Sequence, residues 1–67
     1  METMYICKSG GSVTIGDTVT GNTALGGGHQ FWYYTVREAE KRYRQIYGLE
    51  RKRFKHKRVD KSFFYPF

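Results

Sequence analysis

The sequence predicts an α+β fold: a small antiparallel sheet of two or three strands, packed against one amphipathic helix and followed by a basic, aromatic C-terminal arm. Three observations predict it. Glycine and β-branched residues fill the first half, a helical repeat with a start and a stop signal occupies the middle, and cations and aromatics crowd the end. The 67 residues leave room for one core. We therefore divide the chain into a sheet-plus-helix domain, residues 1–50, and an arm, residues 51–67.

The segment GGSVTIGDTVTGN predicts a β-hairpin. β-Branched residues flank Gly16 and Asp17, and a Gly-Asp pair is typical of a tight hairpin turn because glycine adopts positive φ without strain. A two-residue loop would place Ile15 opposite Thr18, whereas one further loop residue would place it opposite Val19. The sequence therefore predicts the hairpin but does not decide between these two registers.

A loop and a third strand follow the hairpin. NTALGGGHQ is loop-forming because of its three consecutive glycines, and QFWYYTV has the composition of a strand. Alternation would direct Phe31 and Tyr33 to one side, and Trp32 and Tyr34 to the other. Such a strand is either buried on both sides or presents one aromatic pair to a partner.

The helix is predicted from about Val36 to Tyr47. Thr35 and Glu38 have the spacing of a capping box, apolar residues recur at helical intervals, and Gly48 supplies a left-handed stop. The remaining face is basic. This helix should cover one face of the sheet.

The residue pattern argues against catalysis. Cys7 is the single cysteine and lies in an apolar segment, which favours a packing role and a reducing, intracellular compartment. His29 and His56 lack the spacing of a metal box, and neither a phosphate-binding lysine motif nor a nucleophile with its base is present. No stretch approaches the roughly 20 apolar residues of a membrane span. We expect a non-enzymatic protein without a cofactor, metal or small-molecule substrate.

The basic run is the main functional signal. Seven cations lie within the eleven residues from Arg51 to Lys61. Such density predicts binding to the phosphates of RNA or DNA, as in a ribosome or ribonucleoprotein component, although a solvated tail has the same composition. An interleaved aromatic ring suits stacking on an unpaired base. The predicted nucleic-acid-binding residues are Arg42, Arg44, Arg51, Lys52, Arg53, Phe54, Lys55, Lys57, Arg58 and Lys61.

The terminal SFFYPF supports a second hypothesis. Clustered aromatics are unfavourable in water, so they should either fold back onto the sheet or insert into a groove on a partner. In the second case the protein is a linker or modulator, such as an assembly linker or a phage-type inhibitor, that docks on an acidic protein through its cations. The predicted anchors are Phe63, Phe64, Tyr65 and Phe67.

Short phrases also resemble parts of known families. YTVREAE, from Tyr34 to Glu40, resembles the opening of the first helix in excisionase and MerR-type helix-turn-helix proteins, but no second, recognition helix follows it. The order of three strands and a T-x-x-E-A helix is similar to the small DNA-binding domains of phage-type integrases, which read the groove with their sheet. IGDTV resembles the Gly-Asp turn of SH3-like barrels in ribosomal and transcription-factor modules. The first two resemblances imply DNA binding, and none assigns a family.

Overall fold

The computed structural model describes residues 1–22 and 27–65. It confirms the α+β class, with a four-stranded sheet in the order β3-β2-β1-β4. The sheet is mixed rather than antiparallel, and it has one strand more than the largest number predicted. The strands are β1 (Glu2–Ser9), β2 (Ser12–Asp17), β3 (His29–Trp32) and β4 (Phe54–Arg58), and the helices are α1 (Val36–Tyr47) and the single-turn α2 (Lys61–Phe64).

The first hairpin is formed by β1 and β2, and the predicted Gly-Asp turn is wrong. Gly10, in the left-handed region at φ 59°, turns the chain between the two strands. Gly16 and Asp17 lie at the end of β2, and Ile15 is opposite Ile6. All six β2 residues are buried. A long apolar partner strand therefore outcompetes the short local hairpin, because pairing with β1 buries β2 in the centre of the sheet.

Gly16 is required by a close approach, not by a turn. A Cβ atom there would lie 2.1 Å from the Asn22 carbonyl oxygen and 2.8 Å from a ring carbon of Phe64. The same ring would lie 2.9 Å from a Cβ atom at Gly28. Phe64 is fully buried on this glycine surface. The C-terminal segment thus folds back onto the sheet, which was the first of the two predicted alternatives for the aromatic terminus.

The third strand is shorter than predicted. β3 ends at Trp32, and Tyr33 takes a left-handed φ of 65° while its N–H donates to the Gly11 carbonyl at 2.8 Å. The predicted alternation therefore stops at Tyr33. Phe31 is buried in the core, and the residues after it are exposed. Part of the predicted loop, residues 23–26, lies outside the described residues.

The helix prediction is confirmed at both ends. The Glu38 N–H donates to Thr35 Oγ1 at 3.1 Å, and the Thr35 N–H donates to a Glu38 carboxylate oxygen at 3.0 Å. Gly48 ends α1 with φ 68°. Ala39 and Tyr43 are fully buried in one core with Ile15 of β2, whereas Phe64 of α2 lies against Gly16. Because neighbouring residues of a strand point to opposite faces, α1 and α2 pack on opposite faces of the sheet.

A buried carboxylate joins α1 to the end of β2. Asp17 accepts hydrogen bonds from the Tyr43 hydroxyl, from Thr20 Oγ1 at 2.6 Å, and from the N–H groups of Val19 and Thr20 at 2.7 and 2.8 Å. Burial acts to raise the pKa of Asp17, but these hydrogen bonds outweigh it and hold the pKa below its usual range. Burial and the carboxylate together raise the pKa of Tyr43 to about 12. The network is therefore built for an ionised Asp17.

Candidate nucleic-acid interface

Much of the predicted arm belongs to the folded domain. β4 pairs in parallel with β1, which places Lys55 opposite Thr3 and Lys57 opposite Tyr5, and β4 forms one edge of the sheet. The basic run is therefore neither an extension of the helix nor a separate arm. β1 pairs with β2 along one edge, and without β4 the N–H and C=O groups of its other edge would be unpaired. The need to pair these groups explains why residues 54–58 form a strand.

The two faces of β4 have different surroundings. Alternation and register put Phe54 and His56 on the α1 side, and Lys55 and Lys57 on the α2 side. Phe54 is 8% exposed, and the Arg44 guanidinium carbon lies 5.1 Å from the centre of its ring. The predicted stacking of Phe54 on a base is therefore not supported, because the register turns this ring into the core.

Glu40 joins β4 to the helix. Its Oε2 atom accepts from Arg44 Nε at 2.9 Å and lies 2.9 Å from His56 Nε2. Burial acts to raise the pKa of Glu40, but the hydrogen bonds from His56 and Arg44 lower it overall. Arg44 also donates to the carbonyls of Leu49 and Lys52 at 3.1 and 2.7 Å. Arg44 was predicted to contact phosphate, and in the structure its contacts hold the approach to β4 against α1.

Two further cations of α1 lie near β4, and the predicted site had omitted them. Arg37 and Lys41 share a helix flank with Arg44, and with Glu40 they line an open concavity of about 320 Å³. Their i, i+4 spacing in the sequence already indicates that the two side chains lie on the same flank of the helix. Arg42 lies about 160° around the axis from Glu40, on the flank away from β4. We define the basic band by its exposed residues: Arg37, Lys41, Arg51, Lys52, Arg53, Lys55, Lys57 and Arg58.

Few acids offset the basic band. Glu38 is held in the capping box and Glu40 in the pair with Arg44. Three acids near β4 are then left against eight cations, namely Glu2, opposite Phe54 in the register, Glu50 and Asp60. Within residues 1–22 and 27–65, no cation of the band forms an ion pair. The positive charge therefore lies on both sides of the β4 edge. Arg37 and Lys41 are on the α1 side, and Lys55 and Lys57 are on the α2 side, where Lys61 also opens α2.

The described part of the aromatic terminus, residues 62–65, packs toward the sheet. The ring of Phe63 lies 4.6 Å from that of Tyr5, Phe64 is buried and Tyr65 is half-buried. Phe67, the fourth predicted anchor, lies outside the described residues. In this conformation Phe64 is not available to a partner, because it completes the second layer of the core.

No protein-family profile, curated protein or solved structure matches this chain. Among the described residues, no cluster of three or more His, Cys, Asp or Glu side chains is arranged to hold a metal ion. In the same part of the chain, no helix is long and apolar enough to cross a membrane.

Proposed function

We propose that the chain is a non-enzymatic nucleic-acid-binding protein whose basic band contacts the phosphate backbone of RNA or DNA. The observation that carries the proposal is the register of β4, an edge strand, which leaves Lys55 and Lys57 exposed on the α2 side of the sheet. The basic flank of α1 lies across the same edge, on the other face. Sheet pairing and the contacts of Glu40 restrain this surface before any ligand arrives. Preorganised cations lose less conformational entropy on binding than a free tail would.

The geometry favours contacts with phosphate over contacts with bases. Residues two apart on a strand lie about 6.7 Å apart, so Lys55 and Lys57 hold two ammonium groups on one side of β4. Arg37 and Lys41 rise about 6 Å along α1. Such contacts position a nucleic acid without reading its sequence. We therefore expect affinity to depend strongly on salt and weakly on sequence.

The first test is the salt dependence of binding. Fluorescence anisotropy of a labelled oligonucleotide of about 16 nucleotides would be recorded between about 50 and 200 mM salt. If six band cations each neutralise one phosphate, log affinity should fall against log salt with a slope of about −4 to −5. A slope near zero, or no binding at the lowest salt, would refute the proposal.

A matched pair of variants tests the location of the site. Lys55→Glu with Lys57→Glu alters the α2 side of β4. Lys8→Glu with Arg42→Glu makes the same charge change on the opposite face of the sheet and on the flank of α1 away from β4. Each pair lowers the net charge from +6 to +2, because two positive charges become negative. We expect the β4 pair to abolish measurable binding and the control pair to retain most of it. Equal losses would show a nonspecific effect of net charge.

The same variants separate binding from edge protection. β4 is an edge strand, and charged residues on such strands prevent pairing with the sheet of another molecule. Edge protection works with either sign of charge, so the glutamate pair should remain monomeric by light scattering. Nucleic-acid binding requires positive charge. A monomeric variant that still binds would leave edge protection as the role of the two lysines.

A pull-down experiment distinguishes nucleic acid from the alternative partner, an acidic protein. Purified, tagged protein would be mixed with lysate with and without nuclease and washed at rising salt. Recovery of nuclease-sensitive nucleic acid that elutes with salt supports the proposal. Recovery of one acidic protein that survives nuclease and salt would replace it, and α2 would then have to leave the sheet to expose Phe64.

A further inference from the structure

An exposed aromatic segment follows β3. Trp32 is 56% exposed, Tyr33 91% and Tyr34 40%. The rings of Trp32 and Tyr33 are 6.3 Å apart at an angle of 51°, so neither ring covers the face of the other. Gly11 lies beside both rings and adds no side chain over them. The two neighbouring rings therefore present open faces to solvent.

Packing within the domain does not explain the backbone conformation of Tyr33. It is the one residue other than glycine with positive φ in the described part of the chain, and this conformation is strained for an aromatic residue. Its side chain is almost fully exposed, so burial offsets none of the strain. The hydrogen bond from its N–H to the Gly11 carbonyl holds the backbone in place, but no packing of the ring within the domain requires this conformation. Strained backbone conformations of this kind cluster at ligand-binding positions.

We propose that Trp32 and Tyr33 stack on unpaired bases, which makes the preferred ligand a single strand or an unpaired loop rather than a duplex. This inference rests on the proposed nucleic-acid function. Aromatic platforms accept any base through its π-face, and they are used together with cationic grooves in proteins that bind single strands. The bases of a duplex are stacked on one another and cannot reach such a platform.

The basic band leads to the aromatic segment. Arg37 follows Tyr33 by four residues in the chain and lies in the first turn of α1. From there Lys41 continues the basic flank toward Arg44, whose guanidinium lies over Phe54 at the start of β4. β3 and β4 are opposite edges of the sheet, about 14 Å apart. Because Phe31 faces the α1 core, alternation puts Trp32 on the opposite face of the sheet. A strand of a few nucleotides with phosphates along α1 would therefore pass Arg37 and turn around the β3 edge to place bases on the two rings.

The single tryptophan provides a direct readout. Because Trp32 is the only tryptophan in the sequence, its fluorescence reports on this segment alone. Titration with oligothymidylate should quench it, whereas inorganic polyphosphate, which has charge but no bases, should bind to the basic band and leave the emission unchanged. Equal changes with both ligands, or no change with oligothymidylate while anisotropy shows binding, would overturn the stacking.

Variants measure the contribution of the rings. Trp32→Ala should weaken binding of the single strand about tenfold, which is the order of loss expected when one base no longer stacks on a ring. Trp32→Phe should restore most of the affinity because it retains a ring. Tyr33→Gly should also weaken binding of the single strand while preserving or raising thermal stability, because glycine tolerates the left-handed φ. Thermal melting of each variant separates lost binding from lost folding.

Comparison of a single strand with its duplex distinguishes the two proposals. Tighter binding of the single strand, lost in Trp32→Ala, supports the stacking. Equal binding of both forms, unaffected by Trp32→Ala but lost in the Lys55→Glu, Lys57→Glu variant, overturns the stacking and leaves the proposed function intact. Failure to bind either form at low salt overturns both, and the segment would then be a candidate protein contact.

Discussion

Replacement of Phe64 by alanine tests whether the C-terminal segment is part of the folded domain. The ring is fully buried over Gly16 and Gly28, which have no side chains to fill the space that it would leave. Truncation of a buried phenylalanine costs about 3–5 kcal/mol when the site cannot collapse. A chain of 67 residues is expected to have a total stability of about 3–10 kcal/mol. Phe64→Ala should therefore remove a large share of the stability or unfold the protein.

Urea denaturation followed by circular dichroism measures this loss, with Phe63→Ala as the matched control. Phe63 is partly exposed and contacts Tyr5, so its truncation should cost less. At about 4–8 °C per kcal/mol, the thermal midpoint of Phe64→Ala should fall by at least about 12 °C. A loss below about 1 kcal/mol, equal to that of Phe63→Ala, would show that α2 does not dock on the sheet in solution. The end of the chain would then be a separate arm, as the sequence predicts.

Three further predictions concern the sheet, the helix cap and the buried carboxylate. Gly16→Ala should cost about 1–3 kcal/mol or more in urea denaturation because its Cβ atom would meet the Asn22 backbone, whereas Gly11→Ala, whose Cβ atom has only ordinary contacts, should be near neutral. Thr35→Ala should lower stability by about 0.5–2 kcal/mol through loss of the N-cap, and a change below this range would contradict the cap geometry. The folded pKa of Asp17 is depressed, so its contribution is complete above its unfolded pKa of about 3.9 and is lost as the pH falls through the lower folded value. Stability should therefore decline on acidification below about pH 5, and Asp17→Asn should be less stable at neutral pH with a weaker decline, because the amide does not titrate.

The local signals in the sequence predicted α1 and its ends. A capping box, an apolar repeat and a stop glycine act within about one helical turn, so Thr35 and Gly48 mark the same boundaries in any context that buries Tyr43. The same approach failed at Gly16, where the sequence offers an equally good local turn. There the strand pairing depended on β1, about ten residues earlier in the chain. Local propensity does not include the stability gained from pairing with such a strand.

The candidate site was predicted in composition but not in arrangement. The run from Arg51 to Arg58 was identified from its charge, yet the register of β4 turned Phe54 inward and left Lys55 and Lys57 outward. Arg37 and Lys41 joined the site, and Arg42 was separated from it, because α1 lies with one flank toward β4. The exposed pair Trp32 and Tyr33 depended on the point at which β3 ends, which follows from a hydrogen bond to Gly11.

Composition and short-range patterns were enough to predict the α+β class, the helix from Val36 to Tyr47 and the concentration of positive charge in the second half. These depend on composition and on contacts between residues close in the chain. Tertiary structure decided the strand order, the parallel pairing of β4 with β1 and the docking of Phe64 over Gly16. Each of these brings together segments far apart in sequence, and each is stabilised by burial and backbone pairing that exist only once the partner segment is in place.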